Sequence, residues 1–337
     1  MVNSNTNHVI IDNIERATGF DRKESPINYL GCPLYIGRQR IIYYSGVVEK
    51  VIKRILGWQA KMLNFGGKVT LVKHVLQSIP FHTLAAISPP KTTLKCIKKV
   101  IADFFWGTDK ERKKYHWSSW ENLAYPINEG GIGVRQLEDV CTAFQYKQWW
   151  EFRTKKSLWS QFLKAKYYQR ANPVAKKYDS GDSIVWRYLT KNRHKVESLI
   201  KWSIHSGTCS FWWDNWLEND SLASHCDHIS SLNNSRLADF WIDGKWNESL
   251  IRQHVPPLLI TNILQTVFKY NEGKEDTAIW LPDETGKFTI SSAWEVIRKK
   301  RSHDSINNII WHKHIPFKIS FFMWRALKGK IPTNEIL

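Results

Sequence analysis

Apolar residues recur at helical spacing through the first half of the chain. Ile41, Tyr44, Val48, Val51 and Ile55 form one stripe, flanked by Val47 and Ile52, with Lys50, Lys53 and Arg54 off it. This pattern predicts a helix over about 40–56. Gly66-Gly67 opens a second helix in which Val69, Val72, Val75, Leu76 and Ile79 face inward, and Pro80 closes it. After Pro89-Pro90 a third helix carries Leu94, Ile97, Ile101, Phe104 and Phe105, and Gly107 falls where a left-handed C-terminal residue is wanted. Residues 137–152 and 158–168 continue the helical style, the second basic through Lys164 and Lys166, and Asn172-Pro173 breaks it. Between these stretches, Gly130-Gly131-Ile132-Gly133 suits a turn better than a phosphate loop, because no strand precedes it.

Beyond residue 200 the style changes. Gly207, Cys209, Phe211 and Trp213 alternate with polar residues, which predicts a half-buried strand in a small hairpin. A second hairpin is expected from 278–281 and 287–290 around Pro282-Asp283-Glu284-Thr285-Gly286. Ser291 or Ser292 would cap a helix over 293–300, and Pro316 begins a last amphipathic helix with Ile319, Phe322, Met323 and Leu327 inside. The fold class read from this order is α+β, mainly α. No repeat and no Gly/Ser-rich linker marks a domain boundary.

Composition narrows the function classes. With 42% hydrophobic residues in 337, the chain has side chains enough to bury real cores, so wholesale disorder is excluded. No stretch reaches the ~18 consecutive apolar residues of a membrane span, and the first thirty residues are too polar for a signal peptide. The expectation is a soluble intracellular protein with no membrane partner. The five cysteines contain no C-x-x-C pair, which disfavours both a disulfide framework and a four-cysteine zinc site. The formal net charge of +18 makes polyanions the default partner. That charge is uneven: residues 51–102 contain no acid, a second basic block runs over 153–195, and the sign reverses over 202–248. The eighteen tryptophans are candidates for core packing or for stacking on bases.

Several strings then stand in a telling order. YLGCPLYIGR (29–38), GWQAKMLNFGGKVTLVKHVLQSIP (57–80) and NEGGIGVRQL (128–137) resemble the region after the polymerase palm in the reverse transcriptase of plant LINE-type non-LTR retrotransposons. FWWDNWL (211–217), GKFTISSAW (286–294) and IIWHKHIPFKISFFMWRALKGKIPTNEIL (309–337) resemble the connector of the same polyprotein and the start of its reverse transcriptase zinc-binding domain. The resemblance covers the chain from about Ala17 onward. It implies a lead-in over 1–27, a thumb-like helical bundle over 28–110 and a Trp-rich helical connector over 111–200. A connector with a small hairpin over 201–275 and a cut-off zinc-binding domain over 276–337 complete the division.

A thumb-like bundle would grip a primer–template duplex, RNA–DNA or DNA, without reading its sequence. Such grip needs cations on phosphates, and counterion release makes it weaken steeply with salt. The residues expected to supply it are Lys53, Arg54, Lys61, Lys68 and Lys73, with Gly66 and Gly67 letting backbone approach a phosphate at a helix N-terminus. By the same resemblance a nuclear location is expected.

Departures from the family limit the activity expected. A reverse transcriptase needs paired carboxylates holding divalent metals, and no adjacent Asp-Asp occurs in the chain. The roughly thirty residues before Tyr29 are too few for fingers and palm, so no catalytic residue is expected in this chain. The helix after Pro316 and Thr333 would in the family be followed by Cys and His zinc ligands, and no cysteine follows Cys226. The expectation is therefore a chain without its own metal or cofactor, catalytically incompetent alone, with nonspecific affinity of ~10⁻⁴ to 10⁻⁶ M at physiological salt. Two other readings stand beside it: part of an active polymerase completed by a palm-bearing partner, and a protein-interaction module with no nucleic-acid role.

Smaller constellations weigh less. His225-Cys226-Asp227-His228 packs four ligand types into four adjacent residues, which do not converge easily on a tetrahedral metal. His312 and His314 suit a surface turn before Pro316. Asp214 could act with Glu218 as a catalytic carboxylate, but an Asp in this setting more often satisfies nearby backbone or indole N–H groups, which is the role expected.

Overall fold

A computed structural model describes residues 6–20, 25–35, 37–57, 62–109, 112–113, 115–168, 172–176, 179–217, 220–226 and 234–331. The chain is mainly helical, and its strands are short antiparallel pairs such as Ile27–Tyr29 with Cys32–Leu34 and Ile200–Ser203 with Thr277–Trp280. It forms two compact units, one of Met1–Val134 with His303–Leu337, the other of Arg135–Ser302. No helix among the described residues is long and apolar enough to cross a membrane.

In the first unit, the predicted stripe over 40–56 becomes a 3₁₀ turn Ile41–Tyr44 and the helix Ser45–Leu56, which bury Tyr44, Val47 and Val51. That helix packs on Lys91–Trp106, whose Leu94, Ile97, Ile101 and Phe105 are buried on one side. The helix Phe65–Leu71 starts where expected and widens into a π turn, Val72–Leu76, burying Val69, Val72 and Leu76. Gly107 has positive φ, as a helix-ending glycine should, but its ψ of 156° is extended rather than left-handed helical.

The C-terminal segment returns to this unit. Phe321 meets the rings of Phe65, Phe105 and Trp106 at centroid distances of 4.9, 5.8 and 6.1 Å. The last helix, Phe317–Leu327, therefore buries Ser320, Phe321 and Trp324, while Ile319, Phe322, Met323 and Leu327 are exposed, the reverse of the sequence expectation. Both faces of this helix are apolar, so spacing alone could not choose between them. The aromatic face wins because Phe321 and Trp324 fit between rings already fixed in the core.

The Gly130-Gly131-Ile132-Gly133 run is a turn. Gly130 follows the 3₁₀ turn Ile127–Glu129 with left-handed φ of 81°. The Ile132 and Gly133 N–H groups donate to Leu123 and Tyr125 carbonyls at 3.0 and 2.8 Å. A Cβ on Gly131 would lie 1.9 Å from the Tyr125 carbonyl oxygen, so only glycine fits.

In the second unit the helix Leu137–Thr154 is the spine. Its Ala143, Tyr146, Trp149 and Phe152 join Trp186, Ile200 and Trp280 in one core. A second core gathers Phe211, Trp212, Phe240, Ile251 and Ile263. The strand expected over Gly207–Trp213 is reduced to a single antiparallel bridge, Ser210 with Arg236, followed by a turn at 211–213. Phe211 and Trp212 are adjacent yet both fully buried, which alternation in a half-buried strand forbids. Asp276 holds the loop before them. Its carboxylate accepts from the N–H groups of His205, Gly207 and Cys209 at 2.6, 3.1 and 2.8 Å, and from Thr208 Oγ1 at 3.2 Å.

The second expected hairpin is also re-paired. Thr277–Trp280 bonds antiparallel to Ile200–Ser203, across some seventy-five residues of sequence, with Ile200 opposite Trp280. Residues 287–289 lead instead into the helix Ile290–Ile297. Its cap is Thr289, whose side chain accepts from Ser292 N–H in a capping box, one turn earlier than expected.

A buried charge cluster links the spine to the Trp-rich turn. Arg153 Nε lies 2.9 Å from Glu197 Oε1, and its Nη2 bonds Asp214. Trp149 Nε1 donates to Glu197 at 2.7 Å, and the Trp202 ring lies against the guanidinium, 5.4 Å from the ring centroid. Burial works against the Arg153 charge, but Asp214 and Glu197 outweigh it and hold its pKa above the ordinary value. Burial raises the Glu197 carboxyl, against the pull of Arg153. Asp214 also accepts from Ser210 N–H at 2.8 Å, so of the two roles open to it in the sequence it takes the structural one. Glu218 lies outside the described residues.

Candidate nucleic-acid interface

The basic residues of the first unit fall into two groups by environment. Lys53 and Arg54 are exposed in the last turn of Ser45–Leu56, where positive charge complements the helix dipole. Lys68 is half-buried. Its Nζ lies 5.3 and 5.8 Å from the ring centroids of Phe104 and Phe65 and 3.5 Å from the Phe105 carbonyl oxygen. Lys73 is also half-buried, and loss of water lowers its pKa. Its Nζ reaches Gly133, within 3.1 Å of where a Cβ would stand. Lys61 lies outside the described residues.

Gly66 and Gly67 sit in the first turn of Phe65–Leu71. Asn64 caps that turn, its Oδ1 accepting from Gly67 N–H at 2.9 Å. A Cβ on Gly66 would come within 3.2 Å of Phe317 Cβ, and one on Gly67 within 2.9 Å of Leu63 Cδ2. The close neighbours of the two glycines are thus the side chains of Phe317, Leu63 and the capping Asn64, all of their own unit.

Three further cations of the acid-free stretch, not among the expected phosphate contacts, stand out in the structure. Lys91, Lys95 and Lys99 recur at every fourth position of Lys91–Trp106 and are exposed, so they run along one side of the helix. None has a carboxylate partner among the described residues. Lys98 differs: it pairs with Glu121 at 2.6 Å, which holds that carboxyl below its ordinary value. The i, i+4, i+8 spacing was available in the sequence as the signal for this stripe. The helix bearing Lys53 and Arg54 packs directly on the one bearing the stripe.

The other constellations are modest. His312 and His314 stand in an exposed turn before Pro316, with ring centroids 5.1 Å apart and the His314 N–H 3.4 Å from His312 Nδ1. Asp227 and His228 lie outside the described residues. No group of three or more His, Cys, Asp or Glu side chains suited to a metal occurs among the described residues.

Residues 288–337 match the family described as zinc-binding in reverse transcriptase. Those fifty residues hold three histidines and no cysteine, so they supply no thiolate to a zinc ion. The chain is 27% identical over 315 residues to a protein of Arabidopsis thaliana provisionally named a ribonuclease H protein. That match takes in 87% of this chain and 49% of the relative, so the chain spans about half of that relative's length. It is also 22% identical over 149 residues, 43% of its length, to 96% of an uncharacterized mitochondrial protein of the same plant. By these matches, which together reach most of its length, this chain is related to plant retrotransposon reverse-transcriptase proteins.

Proposed function

We propose that the unit Met1–Val134 with His303–Leu337 binds nucleic-acid duplexes without sequence preference, as the thumb-like part of a reverse-transcriptase protein does. The observation that carries this is the exposed row Lys91, Lys95 and Lys99, with Lys53 and Arg54 on the helix packed beside it. Phosphate contacts from exposed ammonium and guanidinium groups need no base-specific geometry. Lys68 and Lys73, half-buried, would contribute field rather than contact, and Lys61 remains a candidate by its sequence alone. The chain itself would supply grip and not polymerisation, since it carries no Asp-Asp pair.

The test is equilibrium binding of the purified chain to a labelled RNA–DNA hybrid at several salt concentrations, alongside a primer-extension assay. Steeply salt-dependent binding without extension supports the proposal. Extension by the purified chain, or no binding at low salt, overturns it.

A further inference from the structure

A second candidate site lies in the other unit and does not rest on the basic stripe. A cavity of about 520 Å³ opens between the strand Ile200–Ser203 and the helix Pro257–Gln265. That volume is within the ~300–1,000 Å³ of small-molecule sites.

Its walls follow from local structure. Ile200 is buried in the core, so strand alternation turns Lys201 to the opposite side, where it lines the cavity. On the helix, Leu259, Asn262, Gln265 and Thr266 recur at i, i+3, i+6 and i+7, so one face supplies that wall. Trp216 also lines the cavity and is held on two sides. Its Nε1 donates to the Phe211 carbonyl at 2.8 Å, and its ring stacks on Trp246 at 5.6 Å. Trp246 Nε1 in turn donates to the Thr266 carbonyl at 2.9 Å, which ties this ring pair to the helix end. Leu217 faces the same space.

Leu222 and His225 complete the lining with Asp220, while Asn262 and Gln265 are exposed at its edge and Lys201 is half-buried. The side-chain amides of Asn262 and Gln265 and the ammonium of Lys201 form no hydrogen bond or ion pair among the described residues. An apolar ligand would displace water from these groups without replacing its hydrogen bonds. A polyanion would want more than one cation, and Asp220 at the rim opposes it. Amides both donate and accept, which matches the mixed edge of a nucleobase, while leucine and tryptophan surfaces suit its faces. One lysine suits one phosphate. We infer that this cavity binds a single unpaired nucleotide, base against Asn262 and Gln265 and phosphate at Lys201.

Isothermal titration calorimetry on the full chain tests this, with adenosine 5′-monophosphate, adenosine and inorganic phosphate as probes. The nucleotide should bind saturably at or below about 1 mM and more tightly than adenosine. Lys201→Ala should weaken the nucleotide roughly tenfold and adenosine little, as loss of a charged hydrogen bond does. Asn262→Ala with Gln265→Ala should weaken both. The triple variant Lys91→Glu, Lys95→Glu and Lys99→Glu should leave nucleotide binding intact, which separates this site from the duplex surface. No saturable nucleotide binding by the parent chain overturns the inference, and so does binding unmoved by the cavity variants but lost in the triple variant.

Discussion

Trp324 Nε1 donates to the Gly130 carbonyl at 2.8 Å, joining two residues 194 positions apart in sequence. The bond lets the C-terminal helix close the first unit on the glycine turn, with Asp304 N–H adding a bond to the Asn128 carbonyl at 3.0 Å. Trp324→Ala would remove a fully buried ring and leave the Gly130 carbonyl unpaired, so it should cost about 3–5 kcal/mol. Trp324→Phe keeps most of the ring and should cost about 1–3 kcal/mol. Urea unfolding followed by circular dichroism reads both, and equal losses for the two variants would refute the role given to the indole N–H.

Arg153 serves two buried carboxylates at once. Arg153→Met would strand Glu197 and Asp214 without their cation and should destabilise the second unit by about 3–5 kcal/mol. Adding Glu197→Gln should recover part of that loss, since one stranded charge is removed. Additive rather than compensating effects in the double variant would show that the cluster does not act as described.

Asp276 is a structural anchor for the loop before Phe211. Burial pushes its carboxyl up, but the donors of His205, Cys209, Gly207 and Thr208 outweigh that and hold its pKa below the ordinary value. Its stabilising effect is therefore present above the unfolded pKa and lost as pH falls through the folded one. Asp276→Asn places an NH₂ among N–H donors and should cost about 2–3 kcal/mol at neutral pH. The difference between variant and parent should shrink in acid, and denaturation series at pH 3 and pH 7 measure it.

Asp139 has the opposite sign. Burial first, then the neighbouring Glu138, raises its carboxyl to about 6, against the pull of Lys299. A raised carboxyl stabilises below its unfolded pKa, and that contribution is lost as pH rises through about 6. Asp139→Asn should therefore flatten the fall in stability between about pH 4 and 6. Thermal unfolding across that window tests it, and an unchanged slope would contradict the assignment.

Much of the helical architecture was legible because one-sided stripes such as Val47 and Val51, or Leu94, Ile97 and Ile101, have a single face to bury. The same reasoning identified the glycine run at 130–133 as a turn and Asp214 as structural. It failed where partners are distant in sequence. Thr277–Trp280 reads as half of a local hairpin, but the strand that completes it is Ile200–Ser203, which no local pattern announces. Phe317–Leu327 is apolar on two faces, and only the rings of Phe65 and Phe105 decide which is buried. At the candidate interface, the acid-free stretch was visible as charge. Which lysines stand free and which lie against aromatic rings or beside the glycine turn is a matter of packing, as Lys68 and Lys73 show.

The central claim is that the first unit carries an electrostatic duplex surface, and the salt dependence of hybrid binding tests it most directly. With about five phosphate contacts, affinity should fall on the order of 10²–10³-fold between 50 and 200 mM salt. Lys91→Glu, Lys95→Glu and Lys99→Glu together should lower the slope by about three. The same charge change at Lys245, Lys269 and Lys274, exposed in the other unit, should leave the slope nearly unchanged. Binding that ignores salt, or that responds equally to both triple variants, would contradict the account.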